Sequence, residues 1–412
     1  MALEWTKRKT TFKWLSEGAK ASLLPEYGKH TQPWSRARLA ELAKAVKDAV
    51  DLTPGTSRGY DRPAPHVIEA VNRAIEEGAF DYPSSTLTGE LRQVIAERYK
   101  ARYRVEADPQ SEVCLTVGAA QAIDLTLKIL VNPGDEVLVM DPDYGPYEPH
   151  VRTYRAKVVP VPLAEKKPGE WSFDISELRK SASEKTKLLM MSNPNNPTGI
   201  LYSKKQNEEI AELAIKNDFF VLADHVSEEI IFDGTSLHNI ATISGMKERT
   251  IVISSFSKAH NLSGFRIGYA IANREIVEHM NSMIGEVTDG LVTPGCVAAL
   301  AALKGTQDWI RKHVEDLQRR RDMMVDSLNK MPLVACGKPQ GVYWAFPNIK
   351  AYGMPSHELA EYLLTQGKVN TRPGFWYGRN GEGHLRISFC VNPEWIQKGM
   401  DRMAQALRKL GK

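Results

Sequence analysis

The strongest constraint on the fold is a regular alternation between short apolar runs and segments of helical spacing. The runs are rich in Val, Ile and Leu, and they predict strands over 113–117, 136–140, 157–161, 187–191, 219–223, 250–254 and 268–272. Strands that alternate with helices are typical of an α/β domain whose mainly parallel sheet is covered on both faces. Ligands bind such sheets beyond the carboxyl ends of the strands, so a site is expected in the segments that follow these runs.

Helical spacing elsewhere predicts the remaining elements. Helices are expected over 37–50, 66–77, 87–103, 119–130, 295–303, 309–330 and 356–365. Two more short apolar runs, 342–346 and 384–389, bracket the last of these helices. The chain after Pro294 is therefore predicted to form a separate α+β unit, and the N-terminal segment is expected to pack with it.

Composition limits the class of partner. The 412 residues include 54 basic and 50 acidic side chains, and a net charge of +4 gives no reason to expect nucleic acid or a membrane surface as partner. The cysteines are far apart and form no CxxC pair, which argues against a zinc site and for a reducing compartment. No signal peptide is recognised, and no apolar run approaches the roughly 20 residues of a membrane helix. A cytoplasmic enzyme without a metal is predicted.

The segment after the run 250–254 carries the most specific chemistry. Ser255, Ser257 and Lys258 follow that run directly, and Arg266 comes shortly after them. An isolated loop lysine is ordinarily just solvated. Here the serine hydroxyls can donate to an anion, and an arginine can bind a phosphate through two N–H groups. An amine beside a phosphate site suggests a Schiff-base lysine and a phosphorylated aldehyde, pyridoxal phosphate.

A known family shares this segment. The resemblance lies in Ser255-Phe256-Ser257-Lys258 and Gly264-Phe265-Arg266-Ile267-Gly268, which are similar to the cofactor-lysine signature of the fold-type I pyridoxal-phosphate enzymes. Within them the chain resembles the class I/II aminotransferases, the aspartate aminotransferase-like group, from about Leu52 to its end. The resemblance implies a mainly parallel seven-stranded sheet covered by helices, with a smaller α+β domain. We expect a large cofactor-binding domain at 55–306 and a small domain built from 1–54 and 307–412.

The resemblance also implies how the cofactor is held. Lys258 forms the aldimine, and Asp224 pairs with the pyridine nitrogen, because an ionised carboxylate keeps that nitrogen protonated and the ring able to accept electrons. The other cofactor contacts that it implies are Ala119, Ala120, Ser255 and Arg266 at the phosphate, Asn196 at the ring oxygen, Tyr144 stacked on the ring, and Tyr82 at the phosphate of the neighbouring subunit. The last contact implies a homodimer with shared active sites.

Substrate contacts follow in the same way. Arg386 matches the arginine that binds the α-carboxylate of the substrate, and Gly55 and Asn196 complete that carboxylate site. The implied activity moves an amino group between an α-amino acid and a 2-oxo acid through the Lys258 aldimine and a quinonoid. Both substrates are small molecules.

One position departs from the family pattern. Ser227 stands where the family usually has a tyrosine that donates to the ring oxygen of the cofactor. A serine is shorter, so the proton affinity of the aldimine would change. This leaves open a pyridoxal-phosphate-dependent lyase, cyclase or amino-acid oxidase on the same scaffold. Alternatively, Tyr60, Tyr377 or His225 compensates.

Side-chain specificity and a non-enzymatic role are further open points. Arg58 is a candidate distal cation, whereas Glu286 or Asp289 would favour a cationic amino acid. A transcription regulator with an aminotransferase-like domain would need an added DNA-binding domain. Only about 50 residues precede Leu52, without a basic recognition helix, which argues against that role.

Overall fold

A computed structural model describes residues 36–57 and 60–410. Its strands are β1 (Val50–Asp51), β2 (Val113–Thr116), β3 (Glu136–Asp141), β4 (Lys157–Pro162), β5 (Ala164–Lys167), β6 (Glu170–Ser172), β7 (Thr186–Ser192), β8 (Phe220–Asp224), β9 (Thr250–Ser255), β10 (Gly268–Ile271), β11 (Trp344–Ala345), β12 (Val369–Asn370), β13 (Arg372–Pro373) and β14 (Leu385–Ser388). Its α-helices are α1 (Arg36–Ala45), α2 (Pro65–Glu76), α3 (Ser85–Tyr103), α4 (Ala119–Leu130), α5 (Tyr147–Thr153), α6 (Ile175–Ser181), α7 (Lys204–Lys216), α8 (Arg274–Val287), α9 (Thr293–Lys304), α10 (Asp308–Leu328), α11 (Ser356–Thr365) and α12 (Pro393–Leu410).

The seven apolar runs of the sequence form one central sheet. Its seven strands lie in the order β2-β10-β9-β8-β7-β3-β4. The pairs from β9 across to β4 are parallel, and β10 is antiparallel to both of its neighbours. β3, β9 and β10 are buried at every residue, and β7 and β8 at all residues but one, as a sheet covered on both faces requires. The predicted α/β class and the mainly parallel seven-stranded sheet are confirmed.

The strand order brings the carboxyl ends of six strands to one edge. Because β10 is antiparallel to β2 and to β9, its first residue, Gly268, lies opposite both Thr116 and Ser255. The ends of β2 and β9 therefore flank Gly268 at the edge where β3, β4, β7 and β8 also end. Residues that are far apart in the sequence meet in the loops beyond this edge, which is where ligands bind such sheets.

Both ends of the chain contribute to a second core. β11, β14 and β13 form a three-stranded sheet, and β1 pairs in parallel with β12. Val50 and Leu52 share one apolar cluster with residues of α10, α11 and α12. This cluster supports the division at 55–306 against 1–54 and 307–412, which stays a prediction.

One predicted helix boundary was wrong. The helix expected over 37–50 ends at Ala45, and Val50 begins β1 instead. Asp48 has a positive φ of 60°, which does not continue a right-handed helix. The amide of Val50 donates to the carbonyl oxygen of Lys368, so long-range strand pairing overrides the local helical spacing.

Candidate active site

The start of α4 offers backbone N–H groups to a ligand. Gly118 precedes the helix with a positive φ of 77°, and no side chain caps the helix start. Ala119 and Ala120, the first helical residues, line a cavity at the sheet edge. A Cβ atom on Gly268 would lie 2.8 Å from the amide nitrogen of Ala119, so only glycine lets β10 approach this turn so closely. An uncapped helix start that faces a cavity is a favourable place for an anion.

Three side chains continue this anion site. Ser255, at the end of β9, lines the same cavity, as do Ser263 and Arg266 from the following loop. The guanidinium of Arg266 packs closely over Gly118, where a Cβ atom would lie 2.5 Å from Nη2. Its Nη1 donates to the carbonyl oxygen of Ser263 at 2.9 Å. Hydroxyl, guanidinium and helix N–H groups together form a donor set suited to a phosphate.

Lys258 brings an amine to the same cavity. Its Nζ donates to the carbonyl oxygen of Gly55 at 2.7 Å, and the hydroxyl of Tyr343 donates to that oxygen at 2.6 Å. Burial, and then the positive charge of Arg386, lower the pKa of Lys258 to about 8. A lysine with such a pKa has a substantial fraction of neutral amine near neutral pH, and the neutral amine is the nucleophilic form.

Asp224 is a buried carboxylate at the end of β8. It is 7% exposed and lines the cavity. The Tyr147 hydroxyl donates to Oδ2 at 2.7 Å, and the amide of Val226 donates to Oδ1 at 3.0 Å. Burial raises the pKa of Asp224, while these two donors and the charge of Lys258 lower it. A cation placed in the cavity beside this carboxylate would favour its ionised form.

Arg386 also lines the cavity. It is 4% exposed, and its Nη1 donates to Oδ1 of Asn196 at 3.1 Å. Its guanidinium carbon lies 4.3 Å from the ring centre of Trp344 and 4.8 Å from that of Tyr377. The backbone N–H of Asn196 donates to Oγ of Ser192 at the end of β7. The aromatic rings and Asn196 fix an arginine whose charge is directed at the cavity, which suits a carboxylate ligand.

Nearly all of the predicted site residues meet in this one cavity of about 290 Å³. Those that line it are Gly55, Ala119, Ala120, Tyr144, Asn196, Asp224, Ser255, Lys258, Arg266 and Arg386. Tyr82 does not line it: the side chain is 70% exposed, and its ring lies against Gly290.

The residues present fit pyridoxal phosphate. The uncapped start of α4, with Ser255 and Arg266, suits the phosphate group. Lys258 and Asp224 line the same cavity, so an amine and a buried carboxylate are both within it. Tyr144, which makes an edge contact with Tyr147 at 5.3 Å between ring centres, adds an aromatic face. The donor set, the amine and the carboxylate are the groups that this cofactor requires.

Three further residues belong to the site although the sequence patterns did not single them out. Tyr147 contacts Asp224, whereas Trp344 and Arg372 line the cavity. Tyr147 belongs to the same Asp-Pro-Asp-Tyr-Gly-Pro-Tyr segment as Tyr144, and Arg372 precedes the Pro373-Gly374 pair. The segment that contains Tyr144 and the Pro373-Gly374 pair could have directed attention to Tyr147 and Arg372. Neither motif determines which of its side chains faces the cavity.

The position that departs from the family pattern also lies on the cavity wall. Ser227 is buried and lines the cavity. Tyr60, Tyr377 and His225 are not among the residues that line the cavity. Burial lowers the pKa of His225 to about 3, and this imidazole is therefore neutral near physiological pH.

The other specificity candidates lie elsewhere. Glu286 and Asp289 are exposed and do not line the cavity, and Arg58 lies outside the described residues.

Within 36–57 and 60–410, no helix combines the length and apolar character needed to cross a membrane. The same ranges contain no group of three or more His, Cys, Asp or Glu side chains arranged so that they could hold a metal ion.

Comparison with known proteins agrees with this geometry. The family model described as aminotransferase class I and II matches residues 47–403. An aspartate aminotransferase of Pyrococcus abyssi is 36% identical over 90% of this chain and 95% of its own length. An aromatic-amino-acid aminotransferase of Thermococcus litoralis is 34% identical over the same shares of the two chains.

Solved structures give the same result. The crystal structure of an aromatic aminotransferase from Pyrococcus horikoshii matches with a TM-score of 0.84 at 33% identity, covering 90% of this chain and 100% of that one. The chain belongs to the class I and II aminotransferase family and is an enzyme of the aminotransferase class.

Proposed function

We propose that the chain transfers an amino group between an α-amino acid and a 2-oxo acid, with pyridoxal phosphate as its cofactor. The observation that carries the proposal is the meeting of Lys258, Asp224 and the uncapped start of α4 in one cavity. When bound, the cofactor supplies an aldehyde that takes the amino group and a ring that withdraws electrons from the reacting carbon.

The residues at the sheet edge would hold the cofactor. The N–H groups of Ala119 and Ala120, with Ser255 and Arg266, would bind its phosphate. Tyr144 would pack against its ring. Asp224 would pair with the ring nitrogen, and its ionised carboxylate would favour the protonated form of that nitrogen. The donors from Tyr147 and Val226 keep the carboxylate oriented.

Lys258 Nζ is the group that moves the proton. It accepts a proton from the α-carbon of the substrate as a base and would deliver it as an acid to the aldehyde carbon of the bound cofactor. A pKa of about 8 suits both roles, because the neutral and charged forms are both populated near neutral pH. In the structure, Nζ donates to the carbonyl oxygen of Gly55.

Arg386 orients the substrate. Its guanidinium binds the α-carboxylate through two N–H groups, and Asn196 and the backbone at Gly55 lie beside it. A fixed α-carboxylate limits the rotation of the substrate and directs its α-hydrogen toward Lys258. Trp344 supports this arginine from one side and also lines the cavity.

The lyase, cyclase or oxidase alternative rests on Ser227 alone. That serine lies on the cavity wall, but the relatives named above are described as aminotransferases. Amino transfer is therefore the function that the geometry and the family support best.

We also propose a cytoplasmic homodimer that shares its sites. The side chains of Phe80, Tyr82, Val287 and Val292 are exposed although they are apolar or aromatic, and Thr293 Oγ1 donates to the carbonyl oxygen of Asp81 beside them. An exposed apolar surface of this kind favours association with a second subunit. We propose that Tyr82, which is exposed on this surface, reaches the site of the neighbouring subunit.

The test is a spectroscopic survey of the purified enzyme with pyridoxal phosphate. Single protein amino acids are added, with and without oxygen, and the cofactor absorbance is followed. Conversion to the pyridoxamine form, and its reversal by a 2-oxo acid, is the expected result. Oxygen consumption, or ammonia released without an acceptor, would contradict amino transfer. Lys258→Ala should lose the absorbance of the lysine-bound cofactor together with turnover, and near-normal turnover by this variant would overturn the assignment.

A further inference from the structure

A buried carboxyl group lies one hydrogen bond away from the cavity wall. Asp143 is in the loop that follows β3, it is 1% exposed, and it is not among the residues that line the cavity. Two of its neighbours do line the cavity: Tyr144 is the next residue of the chain, and Ser192 ends β7, the strand that pairs with β3. The proposed function gives Asp143 no task.

Three hydrogen-bond donors converge on this carboxyl group. The backbone N–H of Ser192 donates to Oδ2 at 3.1 Å, and the Ser192 hydroxyl donates to Oδ1. The backbone N–H of Tyr144 also donates to Oδ1, at 2.6 Å. Burial raises the pKa of Asp143 well above its ordinary value, whereas these donors lower it. Because burying a carboxyl group costs free energy that an apolar side chain would not cost, its presence beside the cavity points to a role there.

The Ser192 hydroxyl extends this contact to the arginine of the cavity. Its Oγ accepts from the backbone N–H of Asn196 at 2.9 Å, and Oδ1 of Asn196 accepts from Nη1 of Arg386 at 3.1 Å. Asp143, Ser192, Asn196 and Arg386 therefore form a continuous hydrogen-bonded chain. A hydroxyl group that donates to a carboxylate is also a stronger acceptor for the next donor, so the links of such a chain strengthen one another.

A further contact joins the same two loops. Nδ2 of Asn195 donates to the carbonyl oxygen of Pro142 at 3.3 Å, which ties the residue before Asn196 to the residue before Asp143. The loop after β7 is thus held against the loop after β3 at two neighbouring points. Asp143 therefore fixes the place of Asn196 relative to the sheet, and Asn196 contacts the guanidinium of Arg386.

We propose that Asp143 is a positioning residue for amino transfer, which holds Asn196 and, through it, Arg386 in the orientation that binds the α-carboxylate of the substrate. The inference rests on the proposed function of the cavity and deepens it by adding a residue that does not line the cavity. A guanidinium binds a carboxylate through two parallel hydrogen bonds, which require its plane to be fixed. A binding group whose supporting contacts are lost is still present but too loosely held.

The test measures binding of an unreactive monocarboxylic acid, pentanoate, to the enzyme loaded with pyridoxal phosphate, by isothermal titration calorimetry. Asp143→Ala removes all three hydrogen bonds, and Ser192→Ala removes the hydroxyl between Asp143 and Asn196. Each substitution should weaken pentanoate binding about fivefold. Asp143→Asn keeps one oxygen for the contacts of Oδ1 and should give an intermediate affinity. Because both residues act in one chain, the double variant Asp143→Ala/Ser192→Ala should bind pentanoate no more weakly than the weaker single variant.

Glu136→Ala is the matched control. Glu136 is a buried acid at the first residue of β3, where it accepts from the Ser183 hydroxyl at 2.6 Å, and it does not line the cavity. Urea unfolding should show a loss of stability in this variant, as in Asp143→Ala, whereas its affinity for pentanoate should equal that of the unmodified enzyme. A role of Asp143 in stability alone would give the control result.

Arg386→Gln separates this inference from the proposed function. Pentanoate binding that does not depend on Arg386 would contradict the proposed function, and this inference with it. Binding that depends on Arg386 but is unchanged in Asp143→Ala and Ser192→Ala would overturn the inference alone. An additive loss in the double variant would also overturn it, because the two residues would then act independently. Where Asp143→Ala does not fold, Asp143→Asn takes its place in each comparison.

Discussion

The hydroxyl group of Tyr147 donates a hydrogen bond to Oδ2 of Asp224 over 2.7 Å, and both side chains are buried. Tyr147 is the first residue of α5, whereas Asp224 ends β8. The contact therefore joins the loop after β3 to a strand two places away in the sheet. It supplies one of two donors to a carboxylate whose pKa burial would otherwise raise further.

Replacing Tyr147 with Phe removes this donor without changing the shape of the ring. The pKa of Asp224 should rise further, and its ionised form should bind the cofactor ring nitrogen less well. We expect the dissociation constant for pyridoxal phosphate to increase about tenfold. The free energy of unfolding of the cofactor-free protein should fall by about 1–3 kcal/mol.

The control for this variant is Tyr154→Phe. The Tyr154 hydroxyl donates to Oδ1 of Asp124 at 2.8 Å, so the same group is lost at a place that does not line the cavity. Cofactor affinity should be unchanged in Tyr154→Phe. Equal effects of the two substitutions on cofactor affinity would show that the Tyr147–Asp224 contact has no special role.

Lys258 should reduce the stability of the cofactor-free protein. Burial and Arg386 hold its pKa at about 8 in the folded protein, below its ordinary value of 10.5. Between pH 8 and pH 10.5 the unfolded chain binds more protons than the folded protein, so the free energy of unfolding rises with pH in this range. Below about pH 8 Lys258 is charged in both states, and the full free-energy cost of burying its charge is present. Lys258→Met should therefore stabilise the cofactor-free protein by roughly 1–3 kcal/mol near neutral pH, and the gain should shrink in alkaline solution.

Urea unfolding at several pH values measures this difference. Lys330→Met, at an exposed position just beyond α10, removes the same charge without the burial and serves as the control. A stability gain in Lys258→Met that does not depend on pH would point to side-chain packing and not to the charge.

The close approach of Gly268 to the start of α4 can be tested directly. Gly268→Ala adds a Cβ atom 2.8 Å from the amide nitrogen of Ala119, and the atoms in its way belong to the backbone. The helix start should be displaced, and affinity for pyridoxal phosphate should fall about tenfold or more. In Gly264→Ala the added atom meets nothing within 4 Å, so this neighbour is the control. Unchanged cofactor affinity in Gly268→Ala would show that the backbone at Gly118 and Ala119 can shift to accommodate the added Cβ atom without disturbing the cofactor site.

Sharing of sites between subunits predicts complementation. Lys258→Ala lacks the amine of its own site, and Tyr82→Ala lacks the group that would reach the neighbouring one. A dimer that contains one of each has one intact site. Random mixing by unfolding and refolding together should therefore restore about a quarter of the unmodified activity, provided that each variant alone is nearly inactive. Activity that only equals the sum of the separate variants would indicate that each site is built from one chain.

The sequence predicted most of what depends on short spacing. All seven strands of the central sheet were located from apolar runs, and helices such as α4 and α11 were predicted at their observed ends. Lys258 was found because a long motif surrounds it. The spacing of apolar residues, which distinguishes strands from helices, is a local property of the sequence. The same is true of a contiguous motif, so both can be recognised without knowledge of the fold.

The tertiary structure decided the features that depend on pairing between distant segments. Val50 follows a helical pattern but pairs with Val369 as a strand. Arg372 becomes a cavity residue only because the register of β13 against β14 sets it opposite Arg386. Tyr147 reaches Asp224 across the edge of the sheet.

The sequence by itself therefore determined the fold class, because apolar runs alternate regularly with segments of helical spacing. It also determined the cofactor lysine, because that residue lies within a contiguous motif. Which side chains surround that lysine was decided by strand order and register. Those are fixed by burial and hydrogen bonding between separate segments of the chain, and one residue of register turns a side chain from one face of the sheet to the other.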